Sequence, residues 1–308
     1  MKNSIFAAID IGSFNCRLTI ARAVKGSFKI IHNFSHSTNL IKNLSFNNEF
    51  NDENTEKTLK CLKEFSKRLK SFNVDFYRCI ATEACRQVIN PEFFVKKVKD
   101  QTGINVEIIS TNEEAKLSLK SCDKYLTKMQ NRGIIFDIGG GSTELTFFDS
   151  KEKIFNSRSI SFGVINLSEK IDLFSKELIN KQISDHFLFF RNDLKNEFKH
   201  DFFSIGSCST VTTLCAVHQK LEFFDLKKIE GYEMNKNELL ETIKNIEKLN
   251  NNELKKISCV GSRFNLLLNG IIILKFILEI FPITKIIVTQ MGLREGILKD
   301  LSNRDEKN

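Results

Sequence analysis

Tryptophan is absent from the 308-residue sequence, and only 2 prolines and 3 tyrosines occur in it. No Pro- or Gly-rich stretch marks a linker between domains. No C-x-x-C pair occurs and no histidine stands at zinc-ligand spacing. Cys16, Cys61, Cys79, Cys85, Cys122, Cys208, Cys215 and Cys259 therefore read as reduced, mostly buried thiols. The five histidines form no nucleophile or metal pattern. There is neither a G-x-x-x-x-G-K sequence nor a G-x-G-x-x-G after a strand, which excludes those two nucleotide cradles. The apolar run that ends at Asp10 is too short for a signal peptide, and the expected location is the cytoplasm. Only Phe264 to Phe281 approaches the length of a membrane span. On a helix its Asn265, Asn269, Lys275 and Glu279 fall within an arc of about 120°, so the segment reads as a core helix with one polar side.

What is present points to an anion. Lys and Arg number 46 against 38 Asp and Glu, a net charge of +8. Phosphate, nucleotide and nucleic acid all fit that sign, as does an ordinary solvated surface. The length predicts two lobes of roughly 100 to 200 residues each. Self-comparison at an offset of 127 residues supports that division. Ile9-Asp10-Ile11-Gly12-Ser13 aligns with Phe136-Asp137-Ile138-Gly139-Gly140, and Leu18-Thr19 answers Leu145-Thr146. Each copy reads as strand, tight loop, strand, polar turn and third strand, the turns being Lys25-Gly26-Ser27 and Asp149-Ser150-Lys151. Helices and short strands then alternate. The first half shows a helix face at Leu59, Leu62, Phe65, Leu69 and Phe72, a strand at 76–80, a helix opened by Asn90-Pro91-Glu92 and a strand at 106–109. The second half shows one long helical stretch over about 167–198, then a strand at 202–205. The result is a duplicated α/β architecture with a cleft between similar halves, where ligands usually bind.

The chemistry-bearing residues lie in the loops. Asp10-Ile11-Gly12-Ser13 and Asp137-Ile138-Gly139-Gly140-Gly141-Ser142 each put a carboxylate at a strand end, before small residues. Such residues let backbone N–H groups approach phosphate oxygens, while the carboxylate holds Mg²⁺. A plain hairpin turn is the alternative. Glu114 opens a helix after a strand, either as a base that activates water or as part of a capping box, Thr111 with Glu114 or Ser110 with Glu113. Arg86 follows a strand and is either a phosphate contact or an exposed helix arginine. Gly206 to Thr210, including Ser207, is either an anion nest or a hydroxyl-rich cap.

Together these motifs resemble the exopolyphosphatase and guanosine pentaphosphate phosphohydrolase family, in its short two-domain form. The resemblance runs from Ala7 to Ser13, through Ala81-Thr82-Glu83-Ala84, Asn112-Glu113-Glu114-Ala115 and Ile135 to Leu145, to Gly206–Leu214 and Gly292-Leu293-Arg294-Glu295-Gly296. It implies a duplicated actin-like, ribonuclease H-like fold of the actin, sugar-kinase and Hsp70 group. The implied lobes are 1–126, joined by a C-terminal helix over 292–308, and 127–291. It also implies hydrolysis of terminal phosphate from polyphosphate or a guanosine polyphosphate, with Mg²⁺ or Mn²⁺ as cofactor. The roles it implies are Glu114 for water activation, Arg86 for phosphate contact, and Asp10, Asp137 and Glu144 for the metal. Gly12, Ser13, Asn15, Gly139, Gly140, Gly141, Ser142, Ser207 and Thr210 would bind phosphate. A homodimer is implied, and neither a membrane nor nucleic acid is an expected partner. The chain departs from the family at Phe14, Lys116, Ser209, Asn265 and Gln290-Met291. Those at Phe14, Ser209 and Gln290-Met291 motivate a second reading, a binding protein that senses guanosine tetraphosphate or polyphosphate without turnover. Shared fold logic alone motivates a third, a small-molecule kinase.

Overall fold

A computed structural model of the chain describes residues 4–25, 27–42, 44, 48–126, 132–149, 154–194 and 203–305. The chain divides into two units, Met1–Cys122 with Met291–Asn308, and Asp123–Gln290.

The first unit opens with β1 (Ile5–Ile11), β2 (Asn15–Val24) and β3 (Ser27–Ser37), an antiparallel meander. There follow α1 (Asp52–Ser71), β4 (Phe76–Ala81), α2 (Glu83–Gln87), α3 (Pro91–Thr102), β5 (Val106–Ile108) and α4 (Thr111–Ser121). The sheet order is β3-β2-β1-β4-β5, with β4 and β5 joining in parallel. Strand period two divides β1 between two layers. Ala7, Ile9 and Ile11 join Leu59, Leu62 and Phe65 of α1 in one core. Phe6 and Ala8 join Leu117, Ile297 and Leu298 in the other. Asp10 shares the parity of Phe6 and Ala8, so its side chain leaves the sheet on that second side, at the end of the strand. Asn51 caps α1 by accepting from the Glu53 and Asn54 N–H groups, which satisfies donors that the first helical turn would otherwise orphan.

The second unit contains α5 (Asp123–Leu126), β6 (Arg132–Ile138), β7 (Thr143–Asp149), β8 (Ile154–Ile160), α6 (Asn166–Leu173), α7 (Lys176–Asp193), β9 (Phe203–Gly206) and α8 (Ser209–His218). It continues with α9 (Leu226–Ile229), β10 (Glu233–Asn235), α10 (Lys236–Glu247), α11 (Asn251–Lys256), α12 (Phe264–Ile280) and β11 (Lys285–Val288). Its sheet order, β10-β11-β9-β6-β7-β8, repeats that of the first unit when read from β8 and adds an antiparallel edge strand. The 127-residue offset survives in the pairing itself. Ile11 opposite Cys16 and Asp10 opposite Arg17 become Ile138 opposite Thr143 and Asp137 opposite Glu144. The fold is thus a duplicated α/β architecture.

The single helix expected over 167–198 is two helices. Phe174 is extended, and Ser175 restarts the chain as the N-cap of α7, its hydroxyl accepting from the Leu178 N–H. Residues 195–202, which complete that expectation, lie outside the described residues, as do Gly26 and 150–153 of the two turns. α12 is the expected core helix with one polar side: Asn269 donates to the Val164 carbonyl and the Ser168 hydroxyl, and Lys275 pairs with Glu247. No helix of the described residues is long and apolar enough to cross a membrane. All eight cysteines are free and buried.

At Met291 the chain returns to the first unit and forms α13 (Leu293–Asp305). Ile297 and Leu298 enter the core beside β1, and Gly296 lies against α4. A Cβ at residue 296 would stand 2.1 Å from the Leu117 carbonyl oxygen, so this helix crossing requires glycine.

Candidate functional site

In the first unit, the turn after Asp10 is closed by Gly12, whose N–H donates to the Asn15 carbonyl at 3.0 Å. Gly12 does not have a positive φ. Its glycine serves close approach instead, since a Cβ would lie 3.1 Å from that same carbonyl oxygen. The chain after β3 supports the loop from behind: Thr38 and Asn39 N–H groups donate to the Phe14 carbonyl, and the Ile41 N–H to that of Ser13. Asn15 accepts a hydrogen bond from the Ser37 hydroxyl. Burial raises the pKa of Asp10, with Arg17 and then Arg294 opposing that rise and Glu295 reinforcing it.

Arg86 and Glu114 meet in this unit. The Arg86 Nη1 donates to Glu114 Oε2 at 2.9 Å and to the Ile109 carbonyl at 2.9 Å. Its Nε and Nη2 both reach Glu83 Oε2. Four of the five guanidinium N–H groups are thereby engaged. Burial acts to lower the Arg86 pKa, but Glu114 and then Glu83 outweigh it, and the net shift is upward. The capping question is resolved at Ser110, whose hydroxyl accepts from the Glu113 N–H, while the Glu113 carboxylate pairs with Arg78. Glu114 is not the capping residue of α4. It is a nearly buried carboxylate held in one orientation by an arginine.

In the second unit, the Gly139 N–H donates to the Ser142 carbonyl at 2.9 Å, as Gly12 does to Asn15. Asp137 and Glu144 occupy opposed positions on β6 and β7. Glu144 accepts from the Ser142 and Ser159 hydroxyls at 2.5 and 2.9 Å. The third loop runs beside Asp137: the Ser207 N–H donates to the Phe136 carbonyl. Burial, reinforced by the Asp137 charge, pushes the Cys208 thiol up to about 12, so it is no nucleophile at neutral pH. Ser209, one of the departures from the family, does not have a positive φ, so its β-carbon carries no backbone strain. Thr210 is buried with its side chain against Gly270 of α12. Its hydroxyl faces α12, and its backbone N–H donates to the Cys208 sulfur.

Asp137 and Glu144 are hard oxygen donors on adjacent strands, a donor set suited to Mg²⁺, which typically takes one or two carboxylates plus phosphate oxygens and water. Among the described residues no group of three or more His, Cys, Asp or Glu side chains gathers in a metal-binding arrangement. Three groups in these loops escaped sequence reasoning. Arg17 occupies the position that Glu144 occupies in the second copy, and the 127-residue offset identifies it. Glu83, the second partner of Arg86, carries an i,i+3 signal. Asn166, which reaches the second glycine loop, carries no signal at all.

A model of the Ppx/GppA phosphatase family matches residues 19–305. The bifunctional 3-dehydroquinate synthase/phosphatase of Fusobacterium nucleatum is 31% identical over 317 aligned residues, covering 98% of this chain. The chain spans about half, 47%, of that relative's length. The crystal structure of the Aquifex aeolicus Ppx/GppA family member is similar at a TM-score of 0.80, with 29% identity and 98% of both chains covered. An exopolyphosphatase from Cytophaga hutchinsonii shares the fold at a TM-score of 0.84 and 21% identity, again over 98% of both chains.

Proposed function

The chain belongs to the Ppx/GppA phosphatase family, and on that premise we propose that it is a Mg²⁺-dependent phosphoanhydride hydrolase. Its substrate is inorganic polyphosphate, guanosine pentaphosphate or both, from which it releases the terminal orthophosphate. The observation that carries this reading is the Arg86–Glu114 ion pair at 2.9 Å, which reserves a nearly buried carboxylate for a task other than capping. Water attacks the terminal phosphorus in line with the bridging oxygen. Glu114 orients it and takes its proton as the P–O bond to the leaving chain breaks. Arg86 fixes Glu114 and offers its remaining Nη2 hydrogen to a phosphoryl oxygen. The loops at Gly12-Ser13-Asn15 and Gly139-Gly140-Gly141-Ser142, with the third loop at Ser207 and Thr210, hold the anionic oxygens; in the second loop the donors are the N–H groups of Gly140, Gly141 and Ser142, since those of Gly12, Gly139 and Ser207 donate to protein carbonyls. Asp137 and Glu144, opposed on adjacent strands, are the carboxylates that would hold Mg²⁺, which when bound neutralises charge on the phosphoryl oxygens, and Asp10 is the counterpart of Asp137 in the first loop.

A substrate panel with direct detection of orthophosphate tests this. Long-chain polyphosphate, guanosine pentaphosphate and ATP with a sugar acceptor are offered, with Mg²⁺, with Mn²⁺ and with chelator. Metal-dependent phosphate release from either of the first two is the expected result. Tight binding of both without release would replace the hydrolase with a sensor of the same ligands, and phosphorylation of the acceptor would replace it with a kinase.

A further inference from the structure

The three glycine carbonyls of the second glycine loop are engaged from one side. Gly139 O accepts from the Val164 N–H at 2.9 Å and Gly140 O from the Ile165 N–H at 2.8 Å. Gly141 O accepts from Asn166 Nδ2 at 2.7 Å. In a trans peptide the N–H points away from the C=O of the same unit. Fixing those three carbonyls against 164–166 therefore turns the N–H groups of Gly140, Gly141 and Ser142 to the opposite side. Among the described residues none of these three N–H groups has a protein acceptor. Three adjacent donors aimed one way form an anion nest.

Two of the three carbonyls are held by backbone, and the third depends on a single side chain. Asn166 is buried, with 8% of its surface exposed. Its Oδ1 accepts from the Gly163 N–H at 2.7 Å, and its Nδ2 also donates to the Ser161 carbonyl at 3.2 Å. Gly163 completes the support, since a Cβ there would stand 2.4 Å from the Gly140 carbonyl carbon. The first loop is built otherwise. Phe14, the counterpart of Gly141 at the 127-residue offset, has its carbonyl held by two backbone N–H groups, those of Thr38 and Asn39.

We propose that Asn166 is a positioning residue for substrate binding: it sets the Gly141–Ser142 peptide so that the Ser142 N–H faces a phosphoryl oxygen. This inference rests on the hydrolase reading above. Asn166 touches no reacting atom and acts through the loop.

The test compares Asn166→Asp and Asn166→Ser with the wild type. Asp keeps the shape and the acceptor for Gly163, but it turns the donor into an oxygen facing two carbonyls. Ser is too short to span the gap. Ser204→Ala, which removes a hydroxyl donor to the Lys285 carbonyl elsewhere in the unit, is the control for general destabilisation. KM and kcat are measured with long-chain polyphosphate, and amide hydrogen exchange is followed over residues 163–165. Both Asn166 variants raise KM by about tenfold or more, the effect of leaving one buried acceptor unpaired. They change kcat far less, and the 163–165 amides exchange faster. Ser204→Ala leaves KM and that exchange at wild-type values. An unchanged KM in an Asn166 variant whose melting temperature falls as in the control would overturn the inference alone. A wild type that releases no phosphate removes the hydrolase reading, and this inference with it.

Discussion

Gly296→Ala is a stringent perturbation, because it acts on the helix that carries Glu114 without touching the carboxylate. The added Cβ would lie 2.1 Å from the Leu117 carbonyl oxygen, 2.6 Å from its carbon and 3.1 Å from its Cα. All three are backbone atoms of α4, and no rotamer change relieves the overlap. Non-bonded heavy atoms prefer roughly 3.5 Å or more, so α4 and α13 must separate by about 1 Å. Overpacking of this kind costs about 1–3 kcal/mol, and the better helix propensity of Ala returns at most ~1 kcal/mol. A net loss of about 1–2 kcal/mol corresponds to a melting temperature lower by roughly 2–8 °C. A shift of ~1 Å at α4 also misplaces Glu114, and misplacement on that scale costs about 100-fold in rate. Scanning calorimetry and phosphate release read the two effects. Gly261→Ala is the contrast: φ is +57° and no atom stands within 4 Å of the new Cβ. It loses about 1 kcal/mol to backbone strain and keeps its kcat. A Gly296→Ala protein with wild-type melting temperature and wild-type kcat would refute the reasoning.

Arg86→Lys retains the charge but replaces a planar fork that reaches Glu83, Glu114 and the Ile109 carbonyl by a single ammonium. A fall in kcat of roughly 100-fold is expected in steady-state assays, from the loosened base. Glu230 accepts from Lys124, Tyr125, Thr289 and the Gln290 N–H. Burial pushes its pKa up, but the Gln290 N–H and then the side-chain donors outweigh this, and the net direction is below 4.5. A depressed carboxylate stabilises the fold above its unfolded pKa and ceases to do so as pH falls through the folded one. Glu230→Gln therefore lowers stability at pH 7, measured by urea denaturation, and its difference from wild type shrinks below about pH 4.5. The buried cysteines, with Cys85 pushed up to about 12 and Cys215 to about 11 chiefly by burial, stay unreactive to a thiol reagent until the protein is denatured.

Much of the architecture was legible because it is local and repeated. The strand-loop-strand design around Asp10 recurs around Asp137 at the same spacing, and strand pairing preserves that spacing residue for residue. The break at Phe174–Ser175 was hidden by apolar residues that run through it. A cap such as Ser175 acts through one hydrogen bond, which helical periodicity does not register. Spacing alone left Glu114 between cap and base, since Ser110 with Glu113 and Thr111 with Glu114 are equivalent on paper. The bonds of Ser110 and Arg86 remove Glu114 from the cap. Asn166 was illegible for a related reason: its meaning lies in a bond to Gly141, 25 positions away, made by a residue type common in any turn.

The most direct measurement of the central claim is the turnover number of Glu114→Gln beside the wild type, by continuous detection of orthophosphate from long-chain polyphosphate in Mg²⁺. Glutamine keeps the size of the side chain and a hydrogen bond to Arg86 through its carbonyl oxygen, but it cannot take a proton from water. The account predicts a kcat lower by about 100-fold or more, with KM little changed. A Glu114→Gln enzyme that turns over at the wild-type rate would contradict it.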